Sequence, residues 1–180
     1  VPALLDDPQH PVPLRLKSVV MRLHRQIQQL NDEIKDIESD LKQQLKEDDA
    51  GNRWQSIPGI GPIIASAVLA DVGDASNSRS GRDFAASLGL VPRQYSTDGK
   101  TVLLGISKRS DKHIRQLLVQ GARAIMRHID KREDALGAWV RELLTRRHSN
   151  VVACALANKL ARIVWAVLAK GGQYDPHPNA

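Results

Sequence analysis

One run of apolar residues constrains this chain more than any other feature. Val20, Leu23, Ile27, Leu30, Ile34, Ile37 and Leu41 follow one another at steps that alternate strictly between three and four. This is a heptad seam, with Val20, Ile27, Ile34 and Leu41 at a and Leu23, Leu30 and Ile37 at d. β-Branched residues at a with mainly leucine at d favour two strands. The flanks are Gln, Asn, Asp, Glu and Lys, as a solvated coiled coil requires. The seam predicts a coiled coil, within or between chains; the alternative is a single long helix lying on its own domain. It fails after Leu41, and "KEDDAGN" ends the helix. Before the seam, Pro2, Pro8, Pro11 and Pro13 mark an irregular linker, with the helix starting near Pro13.

The rest of the chain must bury its core with few aromatics, which make up 3% of 180 residues. Leu, Ile, Val and Ala then fill the interior, which favours close-packed helices over a β-sandwich. The expected fold is mainly α. A coiled-coil helix at 14–50 follows a linker at 1–13. A compact helical domain at 51–172 carries a helix-hairpin-helix-like turn and a small β-hairpin, and 173–180 form a tail. No long internal repeat is visible.

The net charge of +6 and a pI of about 9.7 fit a polyanionic partner, most often nucleic acid, or else a surface merely rich in lysine and arginine. Cys154 is the one cysteine, so the chain has no intramolecular disulfide and no cysteine-rich zinc site. Its setting in "VVACALANKL" predicts a packed thiol, compatible with a reducing cytoplasm. The most apolar segment, Val151–Ala169, carries Asn158, Lys159 and Arg162 in its middle. It reads as a buried helix and not a membrane span. No segment reads as a signal peptide. The chain opens on Val1 and is expected to be a fragment of a longer protein.

Three stretches carry candidate chemistry. The first is "IPGIGPIIASAVLADVG", in which Pro58-Gly59-Ile60-Gly61 makes a sharp turn into an apolar helix from Pro62 to about Ala70. Free N–H groups at a helix N-terminus can face a phosphate, and glycines let it approach, so Gly59 and Gly61 are candidates for a backbone grip on nucleic acid. The alternative is a plain connection in the core.

The second is "DKHIRQLLVQGARAIMRHI", an amphipathic helix. Ile114, Leu117, Leu118, Ala122, Ile125 and Ile129 share one side. Lys112, Arg115, Arg123 and Arg127 fall in an arc of roughly 120° beside it. No acid interrupts the basic stripe, which suits a phosphate backbone better than scattered charge does.

The third is "QYSTDGKTVLLGISKRSDKHIR". Asp98-Gly99 is a turn signal between two short strands and predicts a β-hairpin. Lys100, Lys108, Arg109 and Lys112 surround the hydroxyls of Tyr95 and Ser96. Cations can hold a phosphate and stabilise charge during its transfer, so either hydroxyl is a candidate nucleophile for a phosphodiester. Ser107 and Ser110 are weaker candidates. "RDFAASLGL" is a short helix stopped near Gly89. "DALGAWVRELLTRRH" is a further helix, and Ser149 caps the last one, which stops at Gly171-Gly172. Trp139 and Trp165 read as core residues. The acids, Asp71, Asp74 and Asp98 among them, lack ligand-like spacing, and the six histidines form no metal motif.

The motifs "IPGIGPIIASAVLADVGD", "FAASLGLVPRQYSTDGKTVLLGISKRSDKHIRQLLVQGARA" and "NVVACALANKLARIVWAVLA" stand in an order that resembles the C-terminal domain of transposases of the insertion sequence 110 family (the IS116/IS110/IS902 type), nearest its 1111 branch. The resemblance covers about 54–170, and the coiled coil suits it. It implies a DNA recombinase working in two parts. An N-terminal resolvase-like domain, absent from this sequence, carries four acids and Mg2+. The C-terminal domain supplies a serine that forms a covalent phosphoserine link with DNA. By motif position that serine is Ser96, and a structured RNA guides the enzyme to its target. The resemblance therefore implies DNA and guide RNA as partners, a homodimer or higher homo-oligomer through the coiled coil, no membrane, no cofactor bound by this portion, and a bacterial cytoplasmic setting. The family usually carries glycine where Asp98 and Ser110 stand, and Asp98 puts negative charge beside the serine.

Overall fold

The computed structural model describes residues 5, 12–72, 78–97, 100–109 and 112–176, with backbone alone at 72, 96, 97, 100 and 101. The expected linker therefore lies outside the described residues, save 5, 12 and 13. The chain is mainly helical and divides into two compact units, Val1–Lys42 and Gln43–Ala180.

Helix α1 spans Leu14–Glu47 and dominates the first unit. The N–H groups of Leu16 and Lys17 both donate to the Pro13 carbonyl, at 2.9 and 3.0 Å, so the helix begins where proline's fixed φ can open its first turn. Leu23, Ile27, Leu30, Ile34 and Ile37 are each between 51% and 59% exposed. The apolar line is thus one continuous surface stripe, flanked from Gln26 to Lys42 by polar residues.

The second unit takes over in the last turns of α1, where Leu45 is buried. The acidic "KEDD" stretch does end α1, but it also starts the next helix. Asp48 is extended and its carboxylate accepts from the Gly51 N–H at 2.7 Å, capping α2 (Asp49–Trp54). There follow α3 (Pro62–Val72), α4 (Gly81–Ser87), β1 (Pro92–Thr97), β2 (Lys100–Ile106), α5 (Lys112–Arg127), a 3-10 turn (Ile129–Lys131), α6 (Ala135–Arg146) and α7 (Ser149–Lys170). Ser80 caps α4 through the Asp83 N–H, and Asp134 caps α6 through the Gly137 N–H.

Helix α7 is the centre of the core and packs on α4, α5, α2 and α6. Val152, Leu156, Leu160, Val164 and Val167 are buried, with Ala153, Ala157 and Ala161 between them. The small residues let neighbours close in. A Cβ on Gly81 at the start of α4 would lie 3.1 Å from the Arg162 carbonyl oxygen of α7. By length and composition α7 could cross a membrane, yet here its apolar face is spent inside the protein. It ends at Gly171 in the left-handed region (φ 67), as the Gly-Gly pair predicts. At its start the predicted cap moves by one residue. His148 is extended and its Nδ1 accepts from the Asn150 N–H at 3.2 Å, leaving Ser149 as the first helical residue.

The tryptophans also differ from expectation. Trp54 is fully buried and its indole N–H donates to the Val164 carbonyl at 3.1 Å. Trp165 and Trp139 only flank the core. Trp165 donates to Ser78 O at 3.1 Å, and the Lys159 ammonium lies 4.8 Å from the Trp139 ring centroid. Their polar edges and faces are used at the rim, where such partners exist.

Candidate nucleic-acid interface

The hairpin is antiparallel, with Gln94 opposite Leu103, Tyr95 opposite Val102, Ser96 opposite Thr101 and Thr97 opposite Lys100. That register leaves two positions between the strands, the loop length that Asp98-Gly99 predicts. Asp98, Gly99 and Ser110 themselves lie outside the described residues. The hairpin stands out from the core, with Tyr95 64% and Leu103 63% exposed. A register irregularity between Pro92 and Gln94 marks its base, where an extra residue on one strand sharpens local twist.

The hairpin sorts the candidate residues into two groups. Ser96 and Lys100 sit in neighbouring pairs at its far end, and Pro92 pairs with Ile106 at its base. Four strand steps separate Ser96 from Pro92, or about 13 Å. Lys108 and Arg109 follow the base, so the fold sets them at the end of the hairpin away from Ser96. Lys100 is the one predicted cation that the backbone brings beside it.

Lys108 and Arg109 are exposed and lead into α5. Lys108, Lys112, Gln116, Gln120 and Arg123 line a groove of about 550 Å³ that has Ile106, Arg115, Val119 and Cys154 in its wall. A second hollow, lined by Arg123, Met126, Arg127, Ser149 and Asn150, continues it to the start of α7. There Arg123 donates to the Asn150 side-chain oxygen at 3.3 Å. From Lys112 to Arg127 the stripe runs about 22 Å along the helix. Cys154 is half-buried on this wall.

Arg115 departs from the predicted stripe. It is 8% exposed, and its Nη1 donates to the carbonyls of Leu88 at 3.0 Å and Arg109 at 3.1 Å. Its spacing carried the signal. Three and seven residues ahead of Leu118 and Ala122, it lies on the edge of the basic arc nearest the core. A charged residue there is buried only if backbone acceptors meet it.

The two glycines of the first turn also part company. Gly59 has φ +75, and a Cβ there would lie 2.8 Å from both Gly121 O and Ile125 Cδ1 of α5. Close packing on α5, rather than approach to a phosphate, is what requires glycine at 59. Gly61 is exposed, and a Cβ on it would meet nothing within 4 Å.

Among the described residues no three His, Cys, Asp or Glu side chains come together as a metal site.

Residues 51–137 match the family model described as the Transposase IS116/IS110/IS902 family. The chain is 52% identical over 163 residues to a transposase for insertion sequence element IS1328 from Yersinia enterocolitica, covering 91% of this chain and 49% of the relative. It is 46% identical over 166 residues to a probable family 20 transposase from Pseudomonas aeruginosa, covering 92% and 49%. It is 42% identical over 160 residues to a transposase for insertion sequence element IS1111A from Coxiella burnetii, covering 89% and 44%. The sequence of this chain thus has its counterparts among bacterial transposases. The chain belongs to the IS116/IS110/IS902 transposase family and carries its C-terminal region. It spans about half the length of the curated relatives it matches.

Proposed function

We propose that this chain is the coiled-coil and C-terminal part of a DNA recombinase, and that it holds a nucleic-acid backbone in the α5 groove while Ser96 attacks a DNA phosphodiester. The observation that carries this reading is the basic groove that starts at the base of the hairpin bearing Ser96 and runs the length of α5 without an acid. Lys108, Lys112, Arg123 and Arg127 neutralise phosphates, Arg109 and Lys100 add charge at the two ends of the hairpin, and the exposed Gly61 marks a backbone contact. In the cleavage step the Ser96 oxygen bonds to phosphorus, its proton is lost to a base, and a deoxyribose oxygen leaves and is protonated. One phosphate ester replaces another, so the reverse attack rejoins DNA without an outside energy source. Mg2+ and the acids that hold it belong, in this reading, to the N-terminal domain that the resemblance implies. A structured guide RNA is the second polyanion, the exposed heptad stripe joins two copies, and the setting is the bacterial cytoplasm.

A second reading has its own support. Lys108 and Arg109 lie beyond the hairpin base, itself about 13 Å of strand away from Ser96, as they would in a module that binds nucleic acid and dimerises without cutting. Denaturing electrophoresis of the full-length transposase after incubation with target DNA separates the two. The first reading expects a covalent protein–DNA adduct that Ser96→Ala abolishes. An adduct that survives Ser96→Ala rules out this serine, and no adduct from the active wild-type protein favours the binding module.

A further inference from the structure

We infer that Arg115 is a positioning residue, which with Gly89 fixes the backbone that presents Lys108 and Arg109 to phosphate. The inference rests on the reading of the α5 groove as a phosphate surface.

Lys108 has φ +57, the single non-glycine residue with positive φ among those described. Residues with a Cβ adopt that conformation mainly where their surroundings impose it, and such positions gather at functional sites. Here the surroundings are specific. The Ser107 N–H donates to Val91 O at 2.8 Å, and the Lys108 N–H donates to Gly89 O at 3.1 Å. Arg115 Nη1 then joins Leu88 O, at the end of α4, to Arg109 O. Gly89 is itself left-handed at φ +67. A Cβ on it would lie 2.7 Å from Arg109 N and 3.0 Å from Arg115 Nη1, so the two backbones meet with no room for a side chain.

The chemistry of the clamp needs arginine. A buried charge is tolerated where backbone acceptors replace water, and a planar guanidinium can meet carbonyls from two segments at fixed angles. A lysine ammonium has the same charge but no rigid fork. Arg115 borders the groove but is only 8% exposed, and its Nη1 is engaged by the carbonyls of Leu88 and Arg109. Lys108 and Arg109 stay exposed, and Lys108 reaches the same groove as Lys112 and Arg123. Arg115 acts through them.

The test is the affinity of the chain for a labelled random-sequence duplex DNA, measured across NaCl concentrations, for wild type, Arg115→Lys, the Lys108→Ala/Arg109→Ala double variant and their combination. Each phosphate contact contributes about 0.9 to the slope of log K against log salt. Loss of two contacts flattens the slope by about 1.8. Arg115→Lys is expected to flatten it as the double variant does, although it removes no charge, and the combination is expected to add little. The three-bond H–N–Cα–H coupling of Lys108, which reports φ, is expected to leave its left-handed value in Arg115→Lys. A wild-type slope in Arg115→Lys beside a flattened one in the double variant would overturn the inference, as would an unchanged Lys108 coupling. If the double variant leaves the slope unchanged, the phosphate reading of the groove fails, and the coupling alone decides the clamp. Should Arg115→Lys not fold, Lys108→Gly carries the test. Glycine accepts φ +57 freely, so the melting temperature is expected to rise, and a fall would overturn the inference.

Discussion

Gly59 and Gly121 meet backbone to backbone. A Cβ on Gly59 would stand 2.8 Å from the Gly121 carbonyl oxygen, and one on Gly121 would be driven into the carbonyl oxygen of Gly59. This contact seats the turn before α3 on the middle of α5, so the exposed Gly61 is fixed relative to the basic stripe. Gly121→Ala is expected to destabilise the domain by about 1–3 kcal/mol through overpacking. Gly59→Ala is expected to add about 1 kcal/mol for its left-handed φ. Gly61→Ala is expected to stay within about 0.5 kcal/mol of wild type, since open space surrounds it. Urea denaturation of the three variants checks the order, and a Gly61→Ala variant as unstable as Gly121→Ala would refute it.

Trp54 and the Val164 carbonyl join α2 to the central helix. Trp54→Phe keeps most of the apolar volume but gives up the indole donor. The expected cost is about 1–2 kcal/mol, from the lost hydrogen bond and a small void. Trp54→Ala is expected to cost about 3–5 kcal/mol. Trp139→Phe, at the rim, is expected to cost less than Trp54→Phe by the same measurement.

The stripe on α1 makes a prediction about assembly. If two chains bury it, the wild-type chain sediments as a dimer or higher oligomer, and Ile27→Asp/Ile34→Asp sediments as a monomer. A charge at consecutive a positions opposes the apolar seam. Amide spectra of residues 43–180 are expected to be unchanged by the double substitution. A wild-type monomer at high concentration would show that the stripe serves another purpose.

The Tyr174 phenol is pushed above its ordinary value, first by burial and then by the nearby Asp134 carboxylate. A raised folded-state value means that the neutral phenol is favoured in the native protein. Its contribution to stability is fully present below about pH 10, the unfolded value, and is lost as pH rises through the higher native value. The chain has two tyrosines, so ultraviolet titration of a Tyr95→Phe variant reports Tyr174 alone. Phenolate formation is expected above pH 10, and a native midpoint at or below the unfolded one would contradict the placement of this side chain.

Local pattern made the helices legible because each carries its own punctuation. Pro13 before α1, the Gly171-Gly172 stop of α7 and the Asp98-Gly99 signal between two short strands are decisions made within a few residues of chain. Asp48 shows the limit of such reading. A capping aspartate and a helix-ending acid look alike until the Gly51 N–H is seen to donate to it.

By itself, then, the sequence determined a heptad helix, a helical domain with a hairpin, an acid-free basic helix and the family to which they belong. Those are properties of periodicity, turn chemistry and charge, and they do not depend on distant contacts. Tertiary structure decided which charges and glycines face outward. Arg115 and Arg123 look equivalent in the sequence and both border the groove, yet Arg115 is buried with its guanidinium on the carbonyls of Leu88 and Arg109, while Arg123 is exposed. Gly59 and Gly61 look equivalent too, yet only Gly59 has α5 pressed against it. The distance between Ser96 and the Lys108–Arg109 pair was likewise set by the length of a paired hairpin. Whether a charge meets solvent or a carbonyl depends on which segment packs opposite it, and that partner is chosen by the folded core.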